Sequence, residues 1–238
     1  MNPRRFANPV FVALDSPELA LALQLAKDVR PYVGGLKVGL EFLTANGPEG
    51  LRRVVDLGLP VFADVKFHDI PNTVAGASRE IAALGVSIFN IHAAGGEAMM
   101  RASIEAARSV DPAVMVIGVT VLTSLEDSDL EAVGQQGPSR DQAQRLALLA
   151  RRAGLDGVVC SGPDLEDIRE ACGHDFLTVV PGIRPGGTAA GDQKRVMTPA
   201  EAVRQNADIL VIGRPIASAP NPAAAACALA KELAAELT

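Results

Sequence analysis

The chain has 238 residues, of which 48% are hydrophobic and 21% charged, a balance typical of globular proteins and not of disordered or collagen-like ones. It carries 22 Lys and Arg against 28 Asp and Glu, and the net charge of -6 disfavours a nucleic-acid partner, which would need clustered cations. The three cysteines, Cys160, Cys172 and Cys227, lack Cys-x-x-Cys spacing, which disfavours a disulfide framework or a structural zinc site. They favour a reducing, cytoplasmic location.

The sequence shows no features of a leader peptide or a membrane anchor. The first apolar run, after Arg4 and Arg5, is broken by Asn8 and Pro9, and no small-residue cleavage site follows it. No run approaches the roughly 18 uncharged apolar residues that a membrane helix needs. We therefore expect a soluble protein without a membrane partner.

Short apolar runs rich in β-branched residues alternate with segments of helical spacing along the whole chain. The runs, which we predict to be buried parallel strands, are 9–14, 34–38, 61–65, 86–91, 114–121, 157–160, 177–180 and 209–212. Between them apolar residues recur at intervals of three and four, as at Leu19, Leu23 and Ala26, which predicts amphipathic helices. The last helix is predicted in the alanine-rich tail that follows Pro222.

The number of these units indicates the fold class. Eight strand-plus-helix units in 238 residues leave about 30 residues for each, which fits a single-domain α/β protein, a (β/α)₈ TIM barrel over residues 1–238. The alternative is an open doubly wound sheet, which expects a glycine-rich turn after the first strand. That turn is Leu14-Asp15-Ser16-Pro17 and has no glycine, so the barrel is favoured. The long irregular segment 185–196 has the length of a lid.

In such barrels the active site lies at the carboxyl ends of the strands, so the polar residues there are the candidates. In chain order these are Asp15, Lys37, Asp64 with Lys66, His92, Thr120 with Thr123, Ser161, 181–184, and Gly213 with Arg214. Strand alternation places Asp64 and Lys66 on one face, toward the barrel interior, and Lys37 ends the neighbouring strand. Because like charges repel at close range, we expect alternating signs in an array of Lys, Asp, Lys and Asp.

A purely structural interpretation of the same residues stays open. Asp64 and Lys66 could form an ion pair at a strand end, and Asp69 could cap the next helix, with Asn72 as a competing cap. The interior position of the pair, close to Lys37, favours a functional role.

Gly213 and Arg214 follow the last apolar run and indicate a phosphate site. The loops after the seventh and eighth strands of these barrels often bind phosphate through backbone N–H groups, and a guanidinium matches phosphate oxygens. The alternative is an arginine that lies over the barrel rim.

The histidines and cysteines offer weaker candidates. We expect a loop or packing role for His68 and a rim position for His92, and we expect Cys160 to be a buried thiol without a histidine partner. The carboxylates lack the spacing of a metal cluster and no Walker-type phosphate loop is present, so the sequence calls for no cofactor.

Taken together, these motifs resemble those of the bacterial-type orotidine 5′-monophosphate decarboxylase family, which makes UMP in pyrimidine synthesis. The resemblance covers nearly the whole chain in the family's order. The matching segments are 12–15, 36–39, 64–73 (Asp-Val-Lys-Phe-His-Asp-Ile-Pro-Asn-Thr), 120–123, 181–185, 192–193 and 213–216.

The resemblance implies a (β/α)₈ barrel that acts as a homodimer and uses no metal or organic cofactor. It implies that Lys66 protonates C6 of the pyrimidine as carbon dioxide leaves, that Asp64 faces the substrate carboxylate, and that Lys37 bridges the charged array and the ribose. Asp69 and Thr73 would reach into the partner subunit's site.

The resemblance also implies the residues that hold orotidine 5′-monophosphate. Asp15 would bind a ribose hydroxyl, and Thr123 and Pro181 would border the pyrimidine. The phosphate and the closing loop would be held by Arg184, Gln193, Gly213 and Arg214. The full set of implied substrate contacts is Asp15, Lys37, Ile70, Thr73, Thr123, Pro181, Arg184, Gln193, Gly213 and Arg214.

Two other functions stay open from the sequence. One is a metal-dependent sugar-phosphate decarboxylase or aldolase on a related barrel, where a similar Asp-x-Lys segment serves an enediolate. The other is a catalytically silent barrel that only binds a phosphate ligand.

Overall fold

The computed structural model describes residues 6–135, 137–185 and 197–236, and its eight strands close into a parallel barrel in chain order. The strands are β1 (Val10–Ala13), β2 (Gly35–Val38), β3 (Val61–Phe67), β4 (Ile88–His92), β5 (Met115–Val119), β6 (Gly157–Val159), β7 (Leu177–Val180) and β8 (Ile209–Ile212). The predicted (β/α)₈ TIM barrel is therefore confirmed. That residues 1–238 form one domain stays a prediction.

Helices connect successive strands and surround the barrel. They are α1 (Leu19–Val29), α2 (Leu40–Val55), α3 (Pro71–Ala82), α4 (Glu97–Arg108), α5 (Asp127–Ala132), α6 (Ser139–Ala153), α7 (Leu165–Cys172), α8 (Pro199–Arg204), α9 (Arg214–Ala217) and α10 (Pro222–Glu236). Proline begins α3, α8 and α10, where its missing N–H costs nothing because the first helical N–H groups lack intrahelical partners. No helix of these described segments is long and apolar enough to cross a membrane.

The strand positions agree with the apolar runs to within a few residues at each end. The largest differences are of two residues: β3 continues past the predicted end to Phe67, β4 begins at Ile88 and not at the predicted Val86, and β5 ends at Val119, before the predicted Val121. Most of the predicted lid, 186–196, lies outside the described residues.

Alternation along the strands divides the core into two layers. One face of each strand packs against the helices, while the other face fills the barrel toward the amino ends of the strands. The inner cluster consists of Phe11, Phe62, Ile88, Ile117, Leu177, Val179 and Ile209. Gly35 makes room for this cluster, since a Cβ there would lie 2.4 Å from the ring of Phe11. The amino end is thus closed, and open space is left at the carboxyl end.

Candidate active site

A cavity of about 590 Å³ opens at the carboxyl ends of the strands, as the barrel fold predicts. Its floor is apolar, formed by Ala13, Phe62, Val119, Val159, Val179 and Val211. Its polar wall contains most of the predicted site residues, namely Asp15, Lys37, Asp64, Lys66, Thr123, Pro181, Arg184, Gly213 and Arg214. The polar wall therefore joins residues from six strand ends that are up to about 200 positions apart in the chain.

Four of these side chains form a charged array of alternating sign. Lys37 Nζ lies 2.9 Å from Asp15 Oδ1 and 3.9 Å from Asp64 Oδ2, and Lys66 Nζ lies 2.5 Å from Asp64 Oδ1. The expected alternation is present, with Asp15 as its second carboxylate. Lys37 is buried, and the two carboxylates beside it offset the cost of removing its charge from water.

An irregularity in β3 sets the direction of Lys66. In the pairing of β3 with β4, Ala63 lies opposite Phe89 and Phe67 lies opposite Ile91, so residues 64–66 all face the single residue Asn90. Lys66 itself has a φ of 52°, in the left-handed region that most residues with a Cβ avoid. Both Asp64 and Lys66 reach the cavity, but through a β-bulge and not through the regular alternation that the sequence analysis assumed.

Two residues that support this array were not singled out by the sequence analysis as site residues. Asn90 is fully buried and donates from Nδ2 to Asp64 Oδ1 at 2.7 Å, while its own Oδ1 accepts the backbone N–H of Lys66 at 2.8 Å. Gly39 lies so close that an added Cβ would be 3.0 Å from Lys37 Nζ and 3.1 Å from Asp15 Oδ1. An amide inside an otherwise apolar strand is the only feature of the sequence that could have indicated Asn90.

Two arginines line the rest of the cavity wall. Arg184 follows β7, which lies opposite β3 because the two are four strands apart in a ring of eight. Arg214 follows β8 at the start of α9, and Gly213 precedes it on the cavity wall. Gln193, predicted to act with them, lies outside the described residues.

Three described residues of the implied catalytic and substrate-binding set do not line this cavity, and neither do the strand-end candidates Thr120 and Ser161. Asp69, Ile70 and Thr73 are exposed between the end of β3 and the first turn of α3, and Ile70 retains 67% of its accessible surface. The Asp69 carboxylate accepts the N–H of Ile70 at 2.6 Å. The N-cap residue of α3 is Ile70, with no side-chain hydrogen bond, so the interpretation of Asp69 or Asn72 as its cap is wrong.

His68 and His92 lie near the charged array but do not line the cavity. The rings of His68 and His92 stack with centroids 5.3 Å apart. Burial, with smaller effects of His68 and Lys66, lowers the pKa of His92 below its usual 6.5, although Asp64 acts in the opposite direction. His92 is therefore neutral at pH 7 and adds no positive charge to the array. Cys160 is buried, as predicted, and contributes to the cavity wall.

The carboxylates of the array are bonded to lysines. Within the described part of the chain, no group of three or more His, Cys, Asp or Glu side chains is arranged to hold a metal ion. That the protein uses no cofactor stays a prediction.

Comparison with known proteins links this geometry to one family. Residues 8–229 match the model of the orotidine 5′-phosphate decarboxylase / HUMPS family. A protein of Moorella thermoacetica named orotidine 5′-phosphate decarboxylase is 55% identical over 94% of this chain and 91% of its own. A protein of the same name from Paramagnetospirillum magneticum is 51% identical over 95% of this chain and 98% of its own.

A solved structure gives the same result. The crystal structure of orotidine 5′-phosphate decarboxylase from Lactobacillus acidophilus superposes with a TM-score of 0.83 at 35% identity, over 94% of this chain and 98% of that one. The family model covers nearly all of the chain, and the relatives match along almost their full length. The chain belongs to the orotidine 5′-phosphate decarboxylase / HUMPS family.

Proposed function

We propose that the protein is a carboxy-lyase that converts orotidine 5′-monophosphate to UMP in de novo pyrimidine biosynthesis. The relatives at about 50% identity carry the name of this activity. The observation that carries the proposal is the array Asp15, Lys37, Asp64 and Lys66 in a cavity that two arginines also line. Its volume of about 590 Å³ lies within the usual range of small-molecule sites.

The proton donor in this proposal is Lys66. When the bond between C6 and the carboxylate breaks, carbon dioxide leaves and the electron pair stays on C6. The ammonium group of Lys66 stabilises the developing negative charge and then transfers a proton to C6, after which solvent reprotonates the amine. Its Nζ is held at 2.5 Å from Asp64 and is partly exposed to the cavity, with 29% of the side-chain surface accessible.

Asp64 has two roles in this mechanism. It fixes the Lys66 ammonium through Oδ1, and its charge opposes the substrate carboxylate until carbon dioxide leaves. Lys37 lies between Asp64 and Asp15, so the two lysines together balance the charge of the two carboxylates.

The rest of the nucleotide would extend across the cavity. We assign the ribose hydroxyls to Asp15 and Lys37, and the pyrimidine edge to Thr123 and Pro181, all of which line the cavity. The phosphate lies against the cationic wall, whose members are Arg184, Gly213 and Arg214, with Gln193 added from the family resemblance. Binding energy from the phosphate contacts, which are remote from C6, then lowers the barrier to decarboxylation.

We further propose a homodimer with shared sites. Asp69, Ile70 and Thr73 are exposed and outside their own subunit's cavity, which is compatible with contact to a partner. The large exposed apolar side chain of Ile70 would then be buried by association. The three free cysteines and the pathway are compatible with a cytoplasmic location.

The dimer proposal is tested with mixed subunits. Lys66→Ala and Asp69→Ala proteins are each expected to be inactive, and mixing them should restore up to about a quarter of the wild-type activity per total site if each cavity uses Asp69 of the partner. Absence of recovery, with mixed dimers verified by differently tagged subunits, would contradict shared sites.

The activity itself is tested by the loss of orotate-ring absorbance on addition of orotidine 5′-monophosphate to chelator-treated protein. We expect rapid loss with UMP as product, and a large fall in kcat with orotidine, which lacks the phosphate. Unchanged absorbance in a folded protein would overturn the proposal. Activity that disappears with the chelator and returns with a divalent metal would support the metal-dependent sugar-phosphate alternative.

A further inference from the structure

We propose that Asn90 is a positioning residue that sets the geometry of the Asp64 and Lys66 pair. It lies in the middle of β4, its side chain is fully buried, and it has hydrogen bonds to both members of the pair. The proposal rests on the proposed function only in its kinetic consequence. The anchoring of Lys66 is a structural claim in its own right.

Asn90 occupies the position where the barrel ladder is interrupted. Because residues 64–66 face one residue of β4, the regular β3–β4 pairing does not continue through the bulge. The side-chain oxygen of Asn90 accepts the backbone N–H of Lys66 at 2.8 Å. The amide thereby replaces a backbone acceptor and holds Lys66 at its positive φ.

The other end of the amide fixes Asp64. Nδ2 of Asn90 donates to Asp64 Oδ1 at 2.7 Å, and the same oxygen accepts from Lys66 Nζ at 2.5 Å. One carboxylate oxygen is therefore held by two donors, which leaves Oδ2 directed toward Lys37 at 3.9 Å. The lysine backbone, the lysine amine and the aspartate carboxylate form a closed ring of contacts through Asn90.

The amide has one possible orientation. A backbone N–H requires an acceptor and an ionised carboxylate requires a donor, so a flipped amide would lose both bonds. No other uncharged side chain of similar size supplies an acceptor and a donor in this arrangement. Leucine would fill the space but leave the partly buried N–H of Lys66 without this acceptor, and aspartate would place a second carboxylate against Asp64.

The expected consequence is a change in kcat with little change in KM. Displacement of a reacting group by about 1 Å can cost about 100-fold in rate, and Asn90 controls the backbone from which the Lys66 amine projects. Asn90 does not line the cavity, so substrate binding has no direct contact to lose.

The test compares Asn90→Ala with Thr178→Val. Thr178 is an equally buried polar residue of β7, and its side chain bonds to Arg169 and Asp208 and does not line the cavity. We expect kcat of Asn90→Ala to fall about 100-fold or more with KM within about threefold, and Thr178→Val to keep the wild-type kcat while also losing stability. A kcat for Asn90→Ala equal to that of the Thr178 control would overturn the proposal.

A second readout does not depend on activity. By NMR, the backbone amide proton of Lys66 should exchange with solvent at least about tenfold faster in Asn90→Ala than in wild type. In Thr178→Val its exchange rate should equal that of wild type. If wild type fails to decarboxylate orotidine 5′-monophosphate, the proposed function fails, yet this exchange rate still decides whether Asn90 anchors Lys66. Equal exchange in all three proteins would refute the anchor.

Asn90→Asp provides a variant of nearly the same shape in case the alanine protein does not fold. At acidic pH the new carboxyl can share a proton with Asp64 and restore the donor, so its kcat relative to wild type should rise as the pH falls. The charged or titratable groups near it are Asp64 and Lys66 of β3, Lys37 of β2 through Asp64, and His92 of β4, while its β5 neighbour Ile117 is apolar. A pH-independent ratio would contradict the role of the amide as a donor.

Discussion

The two ends of this barrel contain buried cations in opposite circumstances. At the amino end, Arg169 is 7% exposed and donates to Thr178, to Asp208 and to the backbone carbonyls of Asn206 and Phe176. At the carboxyl end, the ammonium groups of Lys37 and Lys66 pair with the carboxylates of Asp15 and Asp64, and the array that they form faces a cavity. The first network is enclosed by protein, whereas the second is open to a ligand.

This difference indicates what each charge contributes. A buried guanidinium whose N–H groups are all paired with protein acceptors stabilises the fold. Its removal is costly because those acceptors then lose their donors. Asp15, Asp64 and Lys66 are partly exposed to the cavity, so their ion pairs contribute less to folding and their charges can act on a bound molecule. Stability and chemistry are thus separated between the ends of one barrel.

The largest effect is expected at the carboxyl end. Lys66→Ala should reduce decarboxylation at least about 10⁴-fold, because it removes both the proton donor and the nearest positive charge. Its free energy of unfolding should stay within about 1 kcal/mol of wild type, since the lysine is partly exposed. Turnover by loss of orotate absorbance and urea denaturation measure the two quantities. A variant with nearly normal turnover would show that Lys66 is not the donor.

The opposite outcome is expected at the amino end. Arg169→Met should lower the free energy of unfolding by about 3 kcal/mol, because it removes the cationic donor from the partly buried Asp208 and from the backbone carbonyls of Asn206 and Phe176. The folded fraction should keep the wild-type kcat. Urea denaturation followed by kinetics at a temperature where the variant is folded checks this. A variant with wild-type stability but impaired kcat would reverse the comparison.

The strained backbone at Lys66 gives a smaller effect. We expect Lys66→Gly to be about 1 kcal/mol more stable than Lys66→Ala, because glycine accepts a φ of 52° without steric cost. Neither variant has the amine, so the difference reports on the backbone alone. At Val65, which has no positive φ, the glycine variant should instead be less stable than the alanine variant by about 0.5–1 kcal/mol. Chemical denaturation of the four proteins measures both differences.

The smallest effect concerns pH and His92. Since burial lowers the pKa of His92 in the folded protein below the 6.5 of the unfolded chain, its neutral form stabilises the fold fully above pH 6.5. That contribution is lost as the pH falls through the lowered pKa. The free energy of unfolding of wild type should therefore decrease below pH 6.5 more steeply than that of His92→Gln, by up to about 1.4 kcal/mol per pH unit. Urea denaturation from pH 5 to 8 in both proteins tests this, and parallel curves would contradict it.

The sequence alone was sufficient for the barrel and for most of the cavity. Apolar runs and helical spacing reflect the burial of each element, a local property that periodicity records. The rule that barrel sites lie at the carboxyl ends of strands then selected Asp15, Lys37, Asp64, Lys66 and the two arginines, all of which line the cavity.

Tertiary structure alone decided how the charges meet. The bulge of β3, the left-handed Lys66, and the bonds of Asn90 to both Asp64 and Lys66 depend on the register between two strands, which no local pattern contains. The close packing around Gly39 likewise arises because a lysine and an aspartate from different strands approach it. Periodicity determines on which face of a helix or strand a residue lies. The distances between atoms of distant segments are set only when the strands pair and pack.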